Sequence, residues 1–272
     1  MIEGKHFIYL NNWKTGSSFI EHYLKKYFSR SIVCSKASIN KISLVESKDK
    51  ILISSFRNPY KIYVSLWAYG CMHRGTLHKK LTNKNLNSRF SYDFTKQFIK
   101  SRKNIFFLPY YRINKPKEWE NLYSNQESIK NFNNWLYKIN SDKYFFSTKL
   151  DSPIRFSNGS KIGFLSRRIL KKHFNYTLDY RGRVVYESIK PKVDKWILTD
   201  TPETMKISLE KIMGEIKLLE EDCETSCIVP LKKINKSHHL DYNSYYNDKS
   251  MALIRENDSF CFELYEKIKE SF

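Results

Sequence analysis

A lysine, a glycine and three hydroxyl residues stand together at Lys14-Thr15-Gly16-Ser17-Ser18. The apolar run His6–Leu10 precedes this segment, and a helical pattern of apolar residues begins at Phe19. In a strand–loop–helix arrangement, the loop amides and the helix N-terminus point at a bound anion, and a lysine adds a full positive charge. The pattern therefore predicts an anion cradle whose ligand carries a phosphate.

The spacing within this loop argues against two common nucleotide-binding motifs. The loop of nucleotide triphosphatases reads G-x-x-x-x-G-K-[ST], whereas here the lysine precedes the glycine and no glycine lies between Gly4 and Lys14. The dinucleotide fingerprint G-x-G-x-x-G does not occur at this loop either. A kinase relative that uses ATP and Mg²⁺ is therefore disfavoured, although dependence of an activity on Mg²⁺ would revive it.

A second candidate phosphate contact follows the apolar run Ile51–Phe56. Arg57 stands at the end of this run, Asn58-Pro59 begins a predicted helix, and Ser65 lies eight residues after Arg57. An arginine at a strand end can bind a phosphate through two hydrogen bonds, and a serine two turns into the next helix can face the same group. The alternative is that Arg57 only caps carbonyl groups near the start of the helix.

Together, the two elements resemble the sulfotransferases that use 3′-phosphoadenosine 5′-phosphosulfate. The segment Lys14–Ser18 is similar to their 5′-phosphosulfate loop, and Arg57-Asn58-Pro59 with Ser65 is similar to their 3′-phosphate motif. The run Asn58–Gly70 resembles bacterial members of the carbohydrate-type branch. The closing segment of that branch is matched by Asn235-x-Ser237 with Tyr242, Tyr245 and Tyr246.

The resemblance implies transfer of a sulfuryl group from this donor to an acceptor hydroxyl, with 3′,5′-bisphosphoadenosine as the product and no metal ion. Lys14 would stabilise the bridging oxygen as the S–O bond breaks, because negative charge builds up on the leaving phosphate. The resemblance assigns 5′-phosphate binding to Lys14, to the amides of Thr15, Gly16, Ser17, Ser18 and Phe19, and to the hydroxyls of Ser17 and Ser18. It assigns 3′-phosphate binding to Arg57 and Ser65. Lys233, Asn235 and Ser237 would complete that pocket.

The chain departs from the family pattern at the catalytic base. Many carbohydrate-type members have a histidine between the two motifs, but residues 15–57 contain only His22, which we expect to point away from the site. His73 and His78 follow the predicted helix in a polar segment and are our candidate bases, or else solvated loop histidines. Other groups left open are Lys36, Glu46, Asp93, Glu118 and Glu120, whereas His238 and His239 are assigned to the closing loop.

The elements that must position these residues alternate between strand and helix. Residues 31–34, 51–56 and 196–198 are predicted strands, and helices are predicted near 60–69, 91–102, 126–139, 161–173, 201–219 and 250–270, with a loop at 70–89. This order predicts an α/β fold with a P-loop-like, mostly parallel sheet flanked by helices. We expect one domain over residues 1–272, with a helical and aromatic acceptor-side insertion at about 80–160.

Composition limits the partners and the compartment. Lys and Arg number 48 against 28 Asp and Glu, and the resulting formal charge of +20 suits an anionic acceptor, although a lysine-rich composition explains it equally. The five scattered cysteines provide no paired zinc-ligand pattern and are expected to be free thiols. The sequence shows no membrane-spanning stretch and no signal peptide, which predicts a cytoplasmic protein.

Two other functions stay open at this stage. A basic nucleic-acid-binding protein without catalysis would explain the charge and the aromatic content, but the sequence has no recognised nucleic-acid motif, and we expect no nucleic-acid partner. A homologue that binds the sulfate donor but lacks a base would explain the missing histidine. The aromatic side chains could stack on a sugar acceptor, although packing in the core is expected for most of them and for Trp67 in particular.

Overall fold

The computed structural model describes residues 1–28, 32–34, 49–82, 116–141, 155–218 and 239–272. Several positions singled out in the sequence lie outside the described residues. They are Lys36, Glu46, Asp93, Lys233, Asn235, Ser237, His238 and the predicted helix at 91–102.

A five-stranded sheet forms the centre of the fold. Its strands are β1 (Ile2–Gly4), β2 (Phe7–Leu10), β3 (Ile32–Cys34), β4 (Ile51–Phe56) and β7 (Lys195–Leu198). Two short strands that precede β7 in the chain, β5 (Phe174–Asn175) and β6 (Lys190–Pro191), pair with each other in a separate sheet. The order is β3-β1-β2-β4-β7, with β2, β4 and β7 parallel and β1 antiparallel to both β2 and β3. The sheet therefore contains parallel strands, as predicted, but it is mixed, because β1 runs antiparallel to the other four strands.

Nine helices accompany the strands in the described part of the chain. The three parallel strands are followed directly by α1, α2 and the helix that begins at Pro202, so their carboxyl ends and the helix N-termini share one edge of the sheet. The helices are α1 (Ser17–Tyr27), α2 (Pro59–Cys71), α3 (Thr76–Thr82), α4 (Pro116–Leu122), α5 (Ile129–Ile139), α6 (Phe164–His173), α7 (Pro202–Lys217), α8 (Asp248–Asn257) and α9 (Ser259–Glu270).

The helices lie on both faces of the sheet. Strand alternation places Tyr9, Ile53 and Ile197 on one face, where they pack against α1 and α7. Phe56, Trp196 and Leu198 belong to a second core built with α2, α5, α6 and α9. Because both faces are covered by apolar side chains, the edge that carries the loops after β2, β4 and β7 is the accessible part of the parallel strands.

Most of the predicted elements are confirmed, and two predictions are wrong. The strands at 31–34, 51–56 and 196–198 are present, and Thr201 caps α7 in a capping box with Thr204. The predicted loop at 70–89 is wrong at Thr76–Thr82, because Leu77, His78 and Leu81 form the buried face of α3. The predicted final helix is two helices, which meet at Asp258.

Asp258 anchors three helices at this break. It is fully buried, its carboxylate accepts hydrogen bonds from the Tyr63 hydroxyl and from the Ser166 amide at 2.7 Å, and a Cβ on Gly163 would collide with it. Burial raises the pKa of the Asp258 carboxyl, opposed by these hydrogen bonds. The start of α6 is thereby docked against α2 and the α8–α9 junction.

Replacing Asp258 by alanine is expected to lower the free energy of unfolding by about 3 kcal/mol, because two buried donors lose their acceptor. Urea denaturation followed by circular dichroism measures this change. Asp248→Ala, at an exposed position of α8, is the matched control and should stay within about 1 kcal/mol of the parent protein. Equal effects of the two substitutions would show that the buried network does not hold these helices.

Candidate functional site

The loop between β2 and α1 presents a row of backbone donors. Lys14 has φ 58° and Gly16 has φ 69°, so two nearly adjacent residues adopt the left-handed conformation. This conformation is uncommon for a lysine and is found where the surroundings impose it. Among the described residues, the N–H groups of residues 14 to 18 meet no acceptor. Five consecutive unpaired donors at a helix N-terminus provide the backbone of an anion site.

Hydroxyl groups beneath the loop tie it to the sheet. The Ser55 hydroxyl on β4 is 2.6 Å from the Thr15 hydroxyl and 2.8 Å from the Tyr9 hydroxyl on β2. Ser17 donates to the Asn12 carbonyl, and the Asn12 side chain donates to the Ser55 carbonyl at 3.3 Å. Because these side chains are turned inward, the loop backbone rather than Thr15 or Ser17 faces outward.

The remaining two loop residues differ from each other. Ser18 is exposed at the start of α1, and its hydroxyl is accessible to a ligand. Phe19 is buried, and its N–H donates to the Gly16 carbonyl at 2.9 Å. The expected cradle of amides therefore ends at Ser18, one residue earlier than the sequence indicated.

Lys14 is held against α2. Its Nζ lies 3.9 Å from the centre of the Tyr69 ring, a cation–π contact that keeps the ammonium group close to the loop. Burial, with a further contribution from the positive charge of Arg57, lowers the pKa of Lys14 to about 8. The protein therefore keeps two mutually repelling positive charges at this edge, an arrangement that a bound anion would stabilise.

Arg57 joins the loop to the end of β4. Its Nη1 lies 3.5 Å from the Lys14 carbonyl, and its Nε is buried without an acceptor. Burial lowers the pKa of Arg57, and the charge of Asp200 opposes this shift. This contact is with a nearby carbonyl group, so the alternative of an arginine that only caps carbonyls stays open.

Asp200 fixes the start of α2 beside Arg57. Its Oδ1 accepts a 2.8 Å hydrogen bond from the Asn58 amide, and its other oxygen accepts one from the Tyr265 hydroxyl. The Asn58 side chain in turn caps α2 by accepting from the Tyr60 amide at 2.9 Å. The sequence analysis did not single out Asp200, whose position directly after β7 was the available signal.

Ser65 lies on the stripe of α2 that faces these loops. Positions 61, 65 and 69 are spaced by four residues and so share one side of the helix. Lys61 lies 3.4 Å from the Asp200 carbonyl at one end of the stripe, and Tyr69 contacts Lys14 at the other. Ser65, between them, is only 4% exposed. That Ser65 and Arg57 face the same ligand stays a prediction.

The two candidate histidines lie beyond the other end of α2. His78 is on α3, 9% exposed, with ring centres 5.3 Å from His73 and 5.1 Å from Tyr123. Burial and the nearby His73 lower the pKa of His78, opposed by Glu120, and both of its ring nitrogens are without a hydrogen-bond partner. The solvated-loop alternative for His78 is therefore wrong, while His73 is exposed. A role for either residue as base stays a prediction.

The other candidate side chains have ordinary surroundings. His22 is exposed on α1, Glu118 pairs with Lys138 at 2.8 Å, and Trp67 is fully buried, which confirms its assignment to the core. Within the described ranges, no group of three or more His, Cys, Asp or Glu could hold a metal ion. No helix in those ranges is long and apolar enough to cross a membrane.

A set of basic residues beside the loop was missed by the sequence analysis. The Arg168 guanidinium on α6 lies 3.0 Å from the centre of the Trp13 ring, and Lys172 follows one turn later. The amphipathic, basic pattern of 161–173 was visible, but the sequence does not show that its cations lie against the residue preceding Lys14.

Comparisons with protein-family models, with curated proteins and with solved structures found no match to this chain. The functional assignment therefore depends on the residues themselves: the unpaired amides of the loop, Lys14, and Arg57 at the neighbouring strand end.

Proposed function

We propose that this protein is a sulfotransferase that moves a sulfuryl group from 3′-phosphoadenosine 5′-phosphosulfate to an acceptor hydroxyl on a carbohydrate or small molecule. The observation that carries the proposal is the row of five backbone N–H groups, from Lys14 to Ser18, that meet no acceptor in the described part of the chain and lie beside Arg57. An anion with more than one phosphate satisfies both the loop and the arginine. The motif resemblance in the sequence supports the same donor.

The residues suit a bisphosphate better than a triphosphate. The loop amides and Lys14 provide one anion contact, and the buried, unpaired Nε of Arg57 with Ser65 on the facing stripe of α2 provides a second. A nucleotide with separate 5′ and 3′ phosphates therefore fits the available contacts.

Lys14 would act on the leaving group. The donor supplies a sulfuryl group attached through an oxygen to its 5′-phosphate, and negative charge develops on that oxygen as the bond breaks. At pH 7 an ammonium group with a pKa of about 8 is still protonated, so Lys14 can stabilise this charge or transfer a proton to it. The loop amides would hold the phosphate in place, and Tyr69 would hold Lys14 near it.

A second candidate function is a donor-binding homologue without turnover. The burial of His78 against Tyr123 favours this alternative, because a base must reach the acceptor hydroxyl. Exposed His73 is the histidine near α2 that could still do so. Transfer of labelled sulfate to a panel of glycans, phenols and lipids distinguishes the two functions, since the homologue without a base would bind the donor but label none of them.

At a nucleotide concentration near the Kd of the parent protein, Arg57→Ala is expected to abolish the rise in melting temperature that 3′,5′-bisphosphoadenosine produces in the parent protein. The reason is the loss of a charge-assisted contact with the 3′-phosphate, which corresponds to an affinity loss of about tenfold or more. Differential scanning fluorimetry measures the shift. Arg74→Ala, at an exposed arginine beyond α2, is the matched control and should keep it. If the nucleotide fails to stabilise the parent protein at saturating concentration, the donor assignment is wrong.

Lys14→Met is expected to reduce turnover far more than donor affinity, because the ammonium group acts mainly on charge that develops in the transition state. The comparison requires kcat for labelled sulfate transfer and Kd for 3′,5′-bisphosphoadenosine. Removing a buried charge that Arg57 repels should leave the free energy of unfolding equal or higher, so that lost activity is not lost folding. Equal losses of kcat and affinity would make Lys14 a binding residue only.

The same variant tests the titration of Lys14. The protonated amine acts on the leaving group, so kcat/KM for sulfate transfer by the parent protein should fall as the pH rises through about 8. Lys14→Met should show no decrease in that range. A decrease of the same size in both proteins would assign it to another group.

A further inference from the structure

Helix α6 carries two cations next to the phosphate loop that the proposed donor site does not use. Arg168 and Lys172 are four residues apart, so they share one side of the helix. The Arg168 guanidinium stacks on Trp13 at 3.0 Å from the ring centre, which restricts its orientation. Trp13 directly precedes Lys14, so the stack places the Arg168 guanidinium against the phosphate loop.

Both cations are partly buried without a counter-charge. Burial lowers the pKa of Arg168 to about 9, and burial together with Arg168 lowers that of Lys172 to about 8. The Nε of Arg168 is buried and has no acceptor. In the described part of the chain, neither side chain forms an ion pair, and burying unpaired charge is costly.

The charge of Glu21 raises the pKa of Lys172, but this carboxylate already accepts hydrogen bonds from other groups. Its Oε1 accepts hydrogen bonds from the Asn11 side chain and, at 3.4 Å, from the amino group of Met1. Its charge raises the pKa of Lys172 but is a smaller effect than burial and Arg168. Glu21 therefore leaves the positive charge of this pair largely uncompensated.

The surroundings of His173 carry the same excess of positive charge. It is fully buried, both ring nitrogens lack a hydrogen-bond partner, and its ring centre lies 5.4 Å from that of Trp196. Burial and the charges of Lys172, Arg168 and Lys192 lower the pKa of His173 well below its usual value. Burial and these charges therefore favour the neutral form of the imidazole.

The pair on α6 meets the loop at a different residue from the proposed donor contacts. Arg57 contacts the Lys14 carbonyl, whereas Arg168 stacks on Trp13. The side chains of Trp13 and Lys14 contact different helices, α6 and α2 respectively. The two pairs therefore define two anion positions that meet at the loop.

We propose that Arg168 and Lys172, with Trp13 holding the guanidinium, bind an anionic substituent of the acceptor, namely a carboxylate, sulfate ester or phosphate group on the compound to be sulfated. This inference rests on the proposed function. It narrows the acceptor from any hydroxyl compound to one that already carries a negative charge. The site would orient the acceptor next to the loop by pairing its charge with the two cations.

Acylation of Lys172 by an amine-specific reagent at pH 8 tests the site in the folded parent protein saturated with 3′,5′-bisphosphoadenosine. The probes are sodium sulfate, sodium glucuronate and glucose, with ionic strength matched by sodium chloride, and mass spectrometry measures each modification rate. Sulfate and glucuronate should slow the acylation of Lys172 about tenfold, because a bound anion keeps the amine protonated. Glucose should have no effect. The acylation rate of Lys171, the adjacent and exposed residue, should not change with any probe.

Arg168→Gln should remove the protection of Lys172 while the nucleotide still raises the melting temperature, and Lys171→Gln should leave both unchanged. Three results would overturn the proposal. In the first, the anions leave the acylation of Lys172 unchanged; in the second, they slow the acylation of Lys171 and Lys172 equally; in the third, they still slow that of Lys172 in Arg168→Gln. Protection by sulfate without protection by glucuronate would overturn its assignment to an acceptor and indicate a site for small inorganic anions. A nucleotide that gives no stabilisation, together with protection of Lys172, would instead refute the proposed donor.

Discussion

The hydroxyl groups of Tyr9, Ser55 and Thr15 form the connection on which the candidate site depends. They join the two central parallel strands to the loop that precedes α1. Thr15 is fully buried in this contact, and the adjacent Lys14 and Gly16 adopt left-handed conformations. The N–H groups of residues 14 to 18 meet no acceptor among the residues that the structure describes. The packing of the strands thus creates the binding capacity of the loop.

A second constraint is the distribution of charge around that loop. Lys14 with Arg57 and Arg168 with Lys172 are two pairs of like charges, and burial lowers the pKa of all four groups. Such an arrangement weakens the folded protein in the absence of anions and favours their binding. The overall charge of +20 is a property of the whole chain, whereas Arg57 contacts the Lys14 carbonyl in the loop and Arg168 stacks on Trp13 beside it.

The sequence predicted those parts of the site that depend on local patterns. An apolar run followed by Lys14–Ser18 and a helical period is sufficient to indicate a strand, a loop and a helix, and Arg57-Asn58-Pro59 marks a strand end and a helix start. Thr201 was recognisable as a cap for the same reason. These features arise from neighbours in the chain, so a single sequence contains the information.

Contacts between distant segments were not predictable in the same way. Polar residues and glycines around His78 indicated a loop, but packing against Tyr123 produces a short helix and buries the imidazole. The stacking of Arg168 on Trp13 brings together two segments whose local patterns carry no sign of it. The antiparallel position of β1 likewise depends on pairing with β2 and β3 rather than on its own three residues.

The central claim is that one nucleotide bridges the loop and Arg57 through two phosphates. Isothermal titration calorimetry tests this claim as a double-mutant type of thermodynamic cycle. The two proteins are the parent and Arg57→Ala, and the two ligands are 3′,5′-bisphosphoadenosine and adenosine 5′-monophosphate. The account predicts that removing the 3′-phosphate or removing Arg57 weakens binding by a similar factor, about tenfold or more, and that combining the two changes adds little. Losses that multiply independently would contradict it, because Arg57 and the 3′-phosphate would then not be in contact.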